Sequence, residues 1–167
     1  MSMIGNFLRT TETELEEYLK DSSLLESSIY NEETDDGNPN LTDIDKSWDG
    51  ILFLLTGQNV ANTEHPLAKI LFSGQLIDED QDLGYGPAHY LTPDQVKDLN
   101  SQISTITIAA LKEKYDPERM EELEVYPVIW KREGDDAFIY LSEYFKIVQQ
   151  VYSDAAKNGE AIITFIN

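Results

Sequence analysis

The chain predicts an α+β fold: one compact domain over residues 1–167, rich in helix, with a small mixed sheet that includes the N- and C-terminal strands. Three observations carry this reading. Apolar residues recur at helical spacing, first at Val96, Leu99 and Ile103 and later at Phe138, Leu141, Phe145, Val148 and Tyr152. The closing run Ala161 to Ile166 is apolar on both faces, as a central strand must be, and Met1 to Thr10 offers a second extended stretch. The length of 167 residues suits a domain that buries about 70% of its unfolded surface, and the absence of cysteine removes disulfides and thiolate metal sites.

In chain order, Thr11-Glu-Thr-Glu14 has the form of a capping box and opens a helix through Leu15, Tyr18 and Leu19; Ser23 to Glu26 repeats the device. Asn31 to Asn40 holds no apolar residue and reads as an exposed, mobile loop. The stretch from Leu41 to Gly57 organises the rest. As one helix it aligns Leu41, Ile44, Trp48, Ile51, Leu52 and Leu55 on a single stripe, with Thr42 as N-cap and Gly57 as a left-handed stop. A buried strand from Ile51 to Leu55 is the competing reading.

Glu64 to Gly74 predicts a short helix with Pro66 in its first turn and His65 at its entry. An acidic loop, Asp78 to Asp82, then a turn from Leu83 lead to a short extended segment ending at Leu91. Thr92-Pro-Asp-Gln95 is a third capping box, with proline at the first helical position, and the β-branched run Thr105 to Ile108 marks a break. Asp116-Pro-Glu opens another turn of helix. Pro127 restricts Val125 to Trp130 to an edge strand or an irregular segment. The last helix is expected from about Asp136 to Lys157, stopped by Gly159.

With 32 acidic and 12 basic residues the net charge is −20, which repels nucleic acid and anionic membranes and leaves a basic protein as the allowed class of partner. No apolar run approaches the ~20 residues of a membrane span, and no basic stretch precedes an apolar one at the start, so a cytoplasmic location is expected.

Asp43-Ile-Asp-Lys-Ser-Trp48, continuing to Leu54-Leu-Thr-Gly57, resembles the YfbM-like family of bacterial proteins, a domain of unknown function. Met3-Ile-Gly5, Gly86 to Pro93 with Val96, Glu124 to Pro127 with Trp130, and the final helix and strand agree with that pattern in order, so the resemblance covers essentially the whole chain. It implies a single-domain, bacterial, cytoplasmic α+β protein and carries no activity. His89 stands where the resemblance leads one to expect a basic residue such as arginine.

Among residues able to do chemistry, Asp45 and Asp49 are one helical turn apart, with Lys46 placed to pair with Asp49; capping and a surface ion pair explain them without catalysis. Asp78-Glu-Asp-Gln-Asp82 alternates acids as a calcium loop does, but Leu83 and His89 occupy the positions that require glycine and glutamate. Gly84 and Gly86 lack the third glycine of a dinucleotide loop. His89 is a candidate base; Tyr126, Pro127 and Trp130 are candidates to line an aromatic pocket with Tyr85 and Tyr90 as neighbours, while Trp48 is expected as a central packing residue of its helix. The candidate functional surface is therefore Asp45, Lys46, Trp48, Asp49, His89, Tyr90, Tyr126 and Trp130, with no catalytic set, metal or cofactor expected. Two functions follow. The first is a non-enzymatic binding or regulatory module, inhibitor-like toward a basic partner; the second is a small enzyme or ligand-binding protein with a pocket at Asp45, Asp49, His89 and Tyr126.

Overall fold

The structure, a computed structural model, describes residues 2–30 and 37–167. Four strands, β1 (Gly5–Thr10), β2 (Leu41–Asp43), β3 (His89–Leu91) and β4 (Ala161–Ile166), form one sheet in the order β2-β1-β4-β3. Every pairing is antiparallel, so the sheet is antiparallel throughout rather than mixed. β4 lies between β1 and β3 and all six of its residues are buried, which accounts for its apolar character on both faces. β1 pairs with it along its full length, from Gly5 opposite Ile166 to Thr10 opposite Ala161.

Each face of the sheet carries its own apolar layer. On one side α1 (Glu12–Lys20) and α2 (Ser23–Ile29) cover Leu8, Ile163 and Phe165 with Leu15, Tyr18 and Leu25, joined by Ile77, Leu83 and Ala88. The other side is larger. There Phe7, Ile162 and Ile166 meet α3 (Trp48–Thr56), α4 (Pro93–Ile103), α5 (Ile108–Lys114), α6 (Pro117–Glu122), the short α7 (Trp130–Glu133) and the long α8 (Asp135–Asn158).

Local chemistry explains most boundaries. Thr11 and Thr92 each complete a capping box with the glutamate or glutamine three residues on, and Pro93 and Pro117 occupy first-turn positions where no N–H is needed. Gly57 and Gly159 stop α3 and α8 at φ of 78° and 66°, a backbone region that glycine enters without penalty. Thr107 caps α5 through the N–H of Ala110, so the β-branched run before it is a break between two helices.

The stretch Leu41 to Gly57 departs from the single helix predicted for it. Leu41–Asp43 is strand β2, Asp45–Ser47 a 3-10 turn, and only Trp48–Thr56 is α-helical. Pairing with β1 satisfies backbone groups that would otherwise lie unpaired along that edge, and this outweighs the helical spacing of Leu41 and Ile44. Asp45, at φ 51°, makes the corner, with its N–H bonded to the Asp43 carboxylate. Ser23 does not cap α2; it is the first helical residue, and its N–H bonds to Asp21 Oδ1. Glu64 to Gly74 contains a 3-10 helix, Pro66–Ile70, entered through His65 Nδ1, which accepts the N–H of Leu67. Val125 to Ile129 is irregular, with positive φ at Glu124 and Val128 and a cis peptide before Pro127. Of the loop expected at Asn31 to Asn40, positions 31–36 lie outside the described residues. Among the described residues no helix is long and apolar enough to cross a membrane.

Candidate functional site

Trp48 is the centre of an aromatic row. It begins α3 and is 5% exposed. Its ring stacks on Tyr126 with centroids 5.5 Å apart and meets Phe72 edge-on at 6.0 Å; Phe72 in turn meets His89 at 5.4 Å. Both central rings also have polar handles. Trp48 Nε1–H donates to the Met3 carbonyl at 3.0 Å, and the Tyr126 hydroxyl accepts the Met3 N–H at 2.9 Å. The approach of β1 to this ring is close: a Cβ on Gly5 would lie 3.0 Å from Trp48 Cβ.

Asp49 points inward from the same helix and is 3% exposed. Its Oδ1 accepts the Val60 N–H at 2.8 Å and its Oδ2 the Tyr126 N–H at 2.9 Å. Burial pushes its carboxyl above the ordinary range, opposed by these two N–H groups. Both oxygens are thus committed to tying two irregular segments to α3, which is an anchoring role.

Asp45 faces elsewhere. Its Oδ2 accepts the Tyr140 hydroxyl at 2.7 Å, and that hydroxyl accepts the Lys46 N–H at 3.1 Å. Burial, followed by the neighbouring Asp45, pushes the Tyr140 hydroxyl far above its ordinary value. The Asp45–Asp49 carboxylate pair expected from helical spacing does not form, because the helix starts only at Trp48 and the corner at Asp45 turns the two side chains apart. Lys46 forms no ion pair with Asp49.

His89 lies opposite Thr164 in the sheet and is half-buried; its Nδ1 accepts the Gly74 N–H at 3.1 Å. Burial lowers its pKa, so the ring is neutral at pH 7 with its proton on Nε2. Tyr90, next in the strand, projects to the opposite face, toward Leu83 and Ile163. Trp130 is fully buried; its Nε1–H donates to the Val125 carbonyl at 2.7 Å, and its ring packs against Gly50. The structure therefore joins Trp48, Asp49, Tyr126 and His89 through one aromatic row, gives Asp45 and Lys46 to Tyr140, and places Tyr90 and Trp130 apart. Phe72, Tyr140 and Met3 complete these contacts and were not legible in the sequence; Tyr140 sits off the apolar stripe of α8, and nothing local relates it to Asp45.

A second feature lies on the α1 and α2 side. Ser22 Oγ–H donates to Asp78 Oδ2 at 2.7 Å and Gln81 Nε2 donates to the Ser22 carbonyl at 2.9 Å, docking the acidic loop on the junction of the two helices. Glu16, Glu17, Asp21, Glu79, Asp80 and Asp82 are exposed there. The Ser22 hydroxyl and the Asp80 N–H hold the Asp78 carboxyl below the usual range, and the N–H groups of Gly84 and Gly86 do the same for Asp82. Large apolar side chains are exposed on the same elements: Leu19, Leu24, Tyr30 and Tyr85, at 41%, 45%, 51% and 43%. The Tyr30 hydroxyl donates to the Leu83 carbonyl, linking the end of α2 to the acidic loop. Among the described residues no carboxylate of α1, α2 or the loop joins an ion pair, and no three acidic or histidine side chains are grouped to hold a metal.

Comparison with known proteins places this architecture. Residues 1–165 match the family described as a domain of unknown function, DUF1877. The chain belongs to that family. The crystal structure of a protein of unknown function, YfbM from Escherichia coli, superposes on this DUF1877 chain with a TM-score of 0.77 at 18% identity, covering 98% of this chain and 99% of that one. At that identity the likeness is one of fold. No curated protein matches the chain. The resemblance read from Asp43 to Gly57 thus stands, and this chain presents two features to interpret: an aromatic row occupied by its own backbone, and an acidic face studded with exposed apolar side chains.

Proposed function

We propose that this DUF1877 protein is a binding module for a basic protein, in the manner of an inhibitor that neutralises a cationic partner, and that the face of α1, α2 and the Asp78 to Asp82 loop is its docking surface. The observation that supports this reading is the Ser22–Asp78 contact, which gathers two acidic segments onto one face where Leu24 and Tyr30 are also exposed. Charge alone serves solubility, and exposed leucine and tyrosine work against it; together they form the apolar anchors and charged surround of an interface. The carboxylates steer a basic partner and the apolar side chains hold it.

The alternative, a small enzyme, has less support. Asp49 spends both oxygens on backbone N–H groups, His89 Nδ1 is occupied, and the clefts of about 280 and 270 Å³ are lined by other side chains. The test is a tagged capture from the source lysate at low and moderate salt, with wild type beside a Glu16→Lys/Glu17→Lys/Asp80→Lys variant. A stoichiometric basic protein that salt releases and the variant fails to capture supports the reading. A partner retained by the variant, or none at all, removes it.

A further inference from the structure

We propose that Asn158 is a site of spontaneous covalent modification, whose conversion to isoaspartate loosens the joint between α8 and β4; this role does not depend on the acidic face. Asn158 is the one asparagine of the chain that a glycine follows. Both residues of the pair are exposed, and Gly159 stands at φ 66° where α8 stops. The residue after the asparagine governs this chemistry, because its backbone nitrogen is the nucleophile. Glycine brings no Cβ to hinder the approach of that nitrogen to the carboxamide carbon.

The Gly159 nitrogen gives up its proton to solvent base, bonds to Asn158 Cγ and expels ammonia, which leaves a five-membered imide. Water then opens the ring. Attack at Cγ gives aspartate; attack at the main-chain carbonyl gives isoaspartate, with the chain running through Cγ and one backbone atom longer. Inside a helix, ψ near about −42° keeps the two reacting atoms apart. Asn158 is the last residue of α8, where helices fray. The Gly159 N–H is also loosely held, reaching the Ala156 carbonyl at 3.4 Å, against 2.8 Å from the Glu160 N–H to the Ala155 carbonyl. The segment beyond has little slack. Ala155 and Ala161 are fully buried, Ala161 opens the ladder opposite Thr10, and Glu160 meets Arg9 at 3.3 Å. Gly159 and Glu160 must therefore absorb the extra backbone atom, and the Arg9–Glu160 pair is the contact that yields.

The test is ageing of the whole chain in mildly alkaline buffer, followed by digestion with a proteinase that cuts before aspartate and by mass measurement. The peptide from Asp154 to Asn167 should show an acid in place of an amide before any other asparagine converts. An aspartyl product is cut again at position 158 and an isoaspartyl product is not; the uncut form should predominate. An isoaspartate-specific carboxyl methyltransferase should label aged wild type and leave aged Asn158→Gln unlabelled. The separated isoaspartyl form should unfold about 2–4 °C lower than the fresh chain, with the Arg9 side-chain NMR signal displaced. No conversion at Asn158 in the folded chain, earlier conversion elsewhere, or an isoaspartyl form with an unchanged midpoint and Arg9 signal overturns the proposal.

Discussion

Trp48 and Tyr126 stack on one another and divide the backbone of a single residue between them, the indole taking the carbonyl of Met3 and the phenol its N–H. The pair thereby does for the approach to β1 what a neighbouring strand would do, satisfying both backbone groups in a place the sheet does not reach. Tyr126→Phe keeps the stacking and removes one acceptor. It should cost about 1 kcal/mol in denaturant unfolding, with hydrogen exchange at the Met3 amide accelerated more than at the amides of β4.

Asp49 offers a test of anchoring against catalysis. In Asp49→Asn one carboxylate oxygen becomes an NH2 that faces a backbone N–H, so the variant should lose about 1–3 kcal/mol. Because burial raises the folded carboxyl above its ordinary 3.8, the native state binds the proton more readily than the unfolded chain does. The contribution of Asp49 is therefore full at or below 3.8 and declines as pH rises through the folded value. The stability advantage of wild type over the Asp49→Asn variant should shrink over that window and then level; an advantage that grows with pH would contradict the burial argument.

His89 titrates in the opposite sense. Burial lowers its pKa from 6.5, so the unfolded chain takes up the proton first and stability is lost as pH falls below 6.5. Protonation also removes the acceptor for the Gly74 N–H. Nitrogen-detected NMR should find the proton on Nε2 and a midpoint below 6.5, and His89→Gln should flatten this part of the stability profile.

Gly50 lies inside α3 where alanine would ordinarily favour the helix by up to about 1 kcal/mol. Here a Cβ would stand 2.7 Å from both Leu141 Cδ2 and the Trp130 ring. The leucine methyl can yield, but the buried indole is held by its bond to Val125. Gly50→Ala should therefore destabilise by about 1–3 kcal/mol, read from the unfolding midpoint.

These cases show what was legible in advance. Signals confined to a few residues, such as the boxes at Thr11 and Thr92 or the stops at Gly57 and Gly159, acted as expected because both partners lie within one turn. The reading of Leu41 to Gly57 as one helix failed before Trp48 because the spacing of Leu41 and Ile44 fits two environments, and the choice belonged to β1, far off in the chain. Trp48 and Tyr126 were recognisable as candidates from their residue types, whereas the Asp45–Tyr140 bond and the Ser22–Asp78 contact join positions that nothing local relates.

The pairing of β1 with β4 has a consequence for biosynthesis. During translation β1 emerges before its principal partner β4, which leaves the ribosome only after all of the described helices have been made. Until then the Leu8 and Phe7 faces of that strand have a hydrogen-bonding edge with no lasting occupant, the kind of template on which nascent chains associate. Closure of so long a loop makes the central ladder a late event. The carboxylates of α1 follow β1 directly in the chain, so like charge that opposes association travels with the waiting strand.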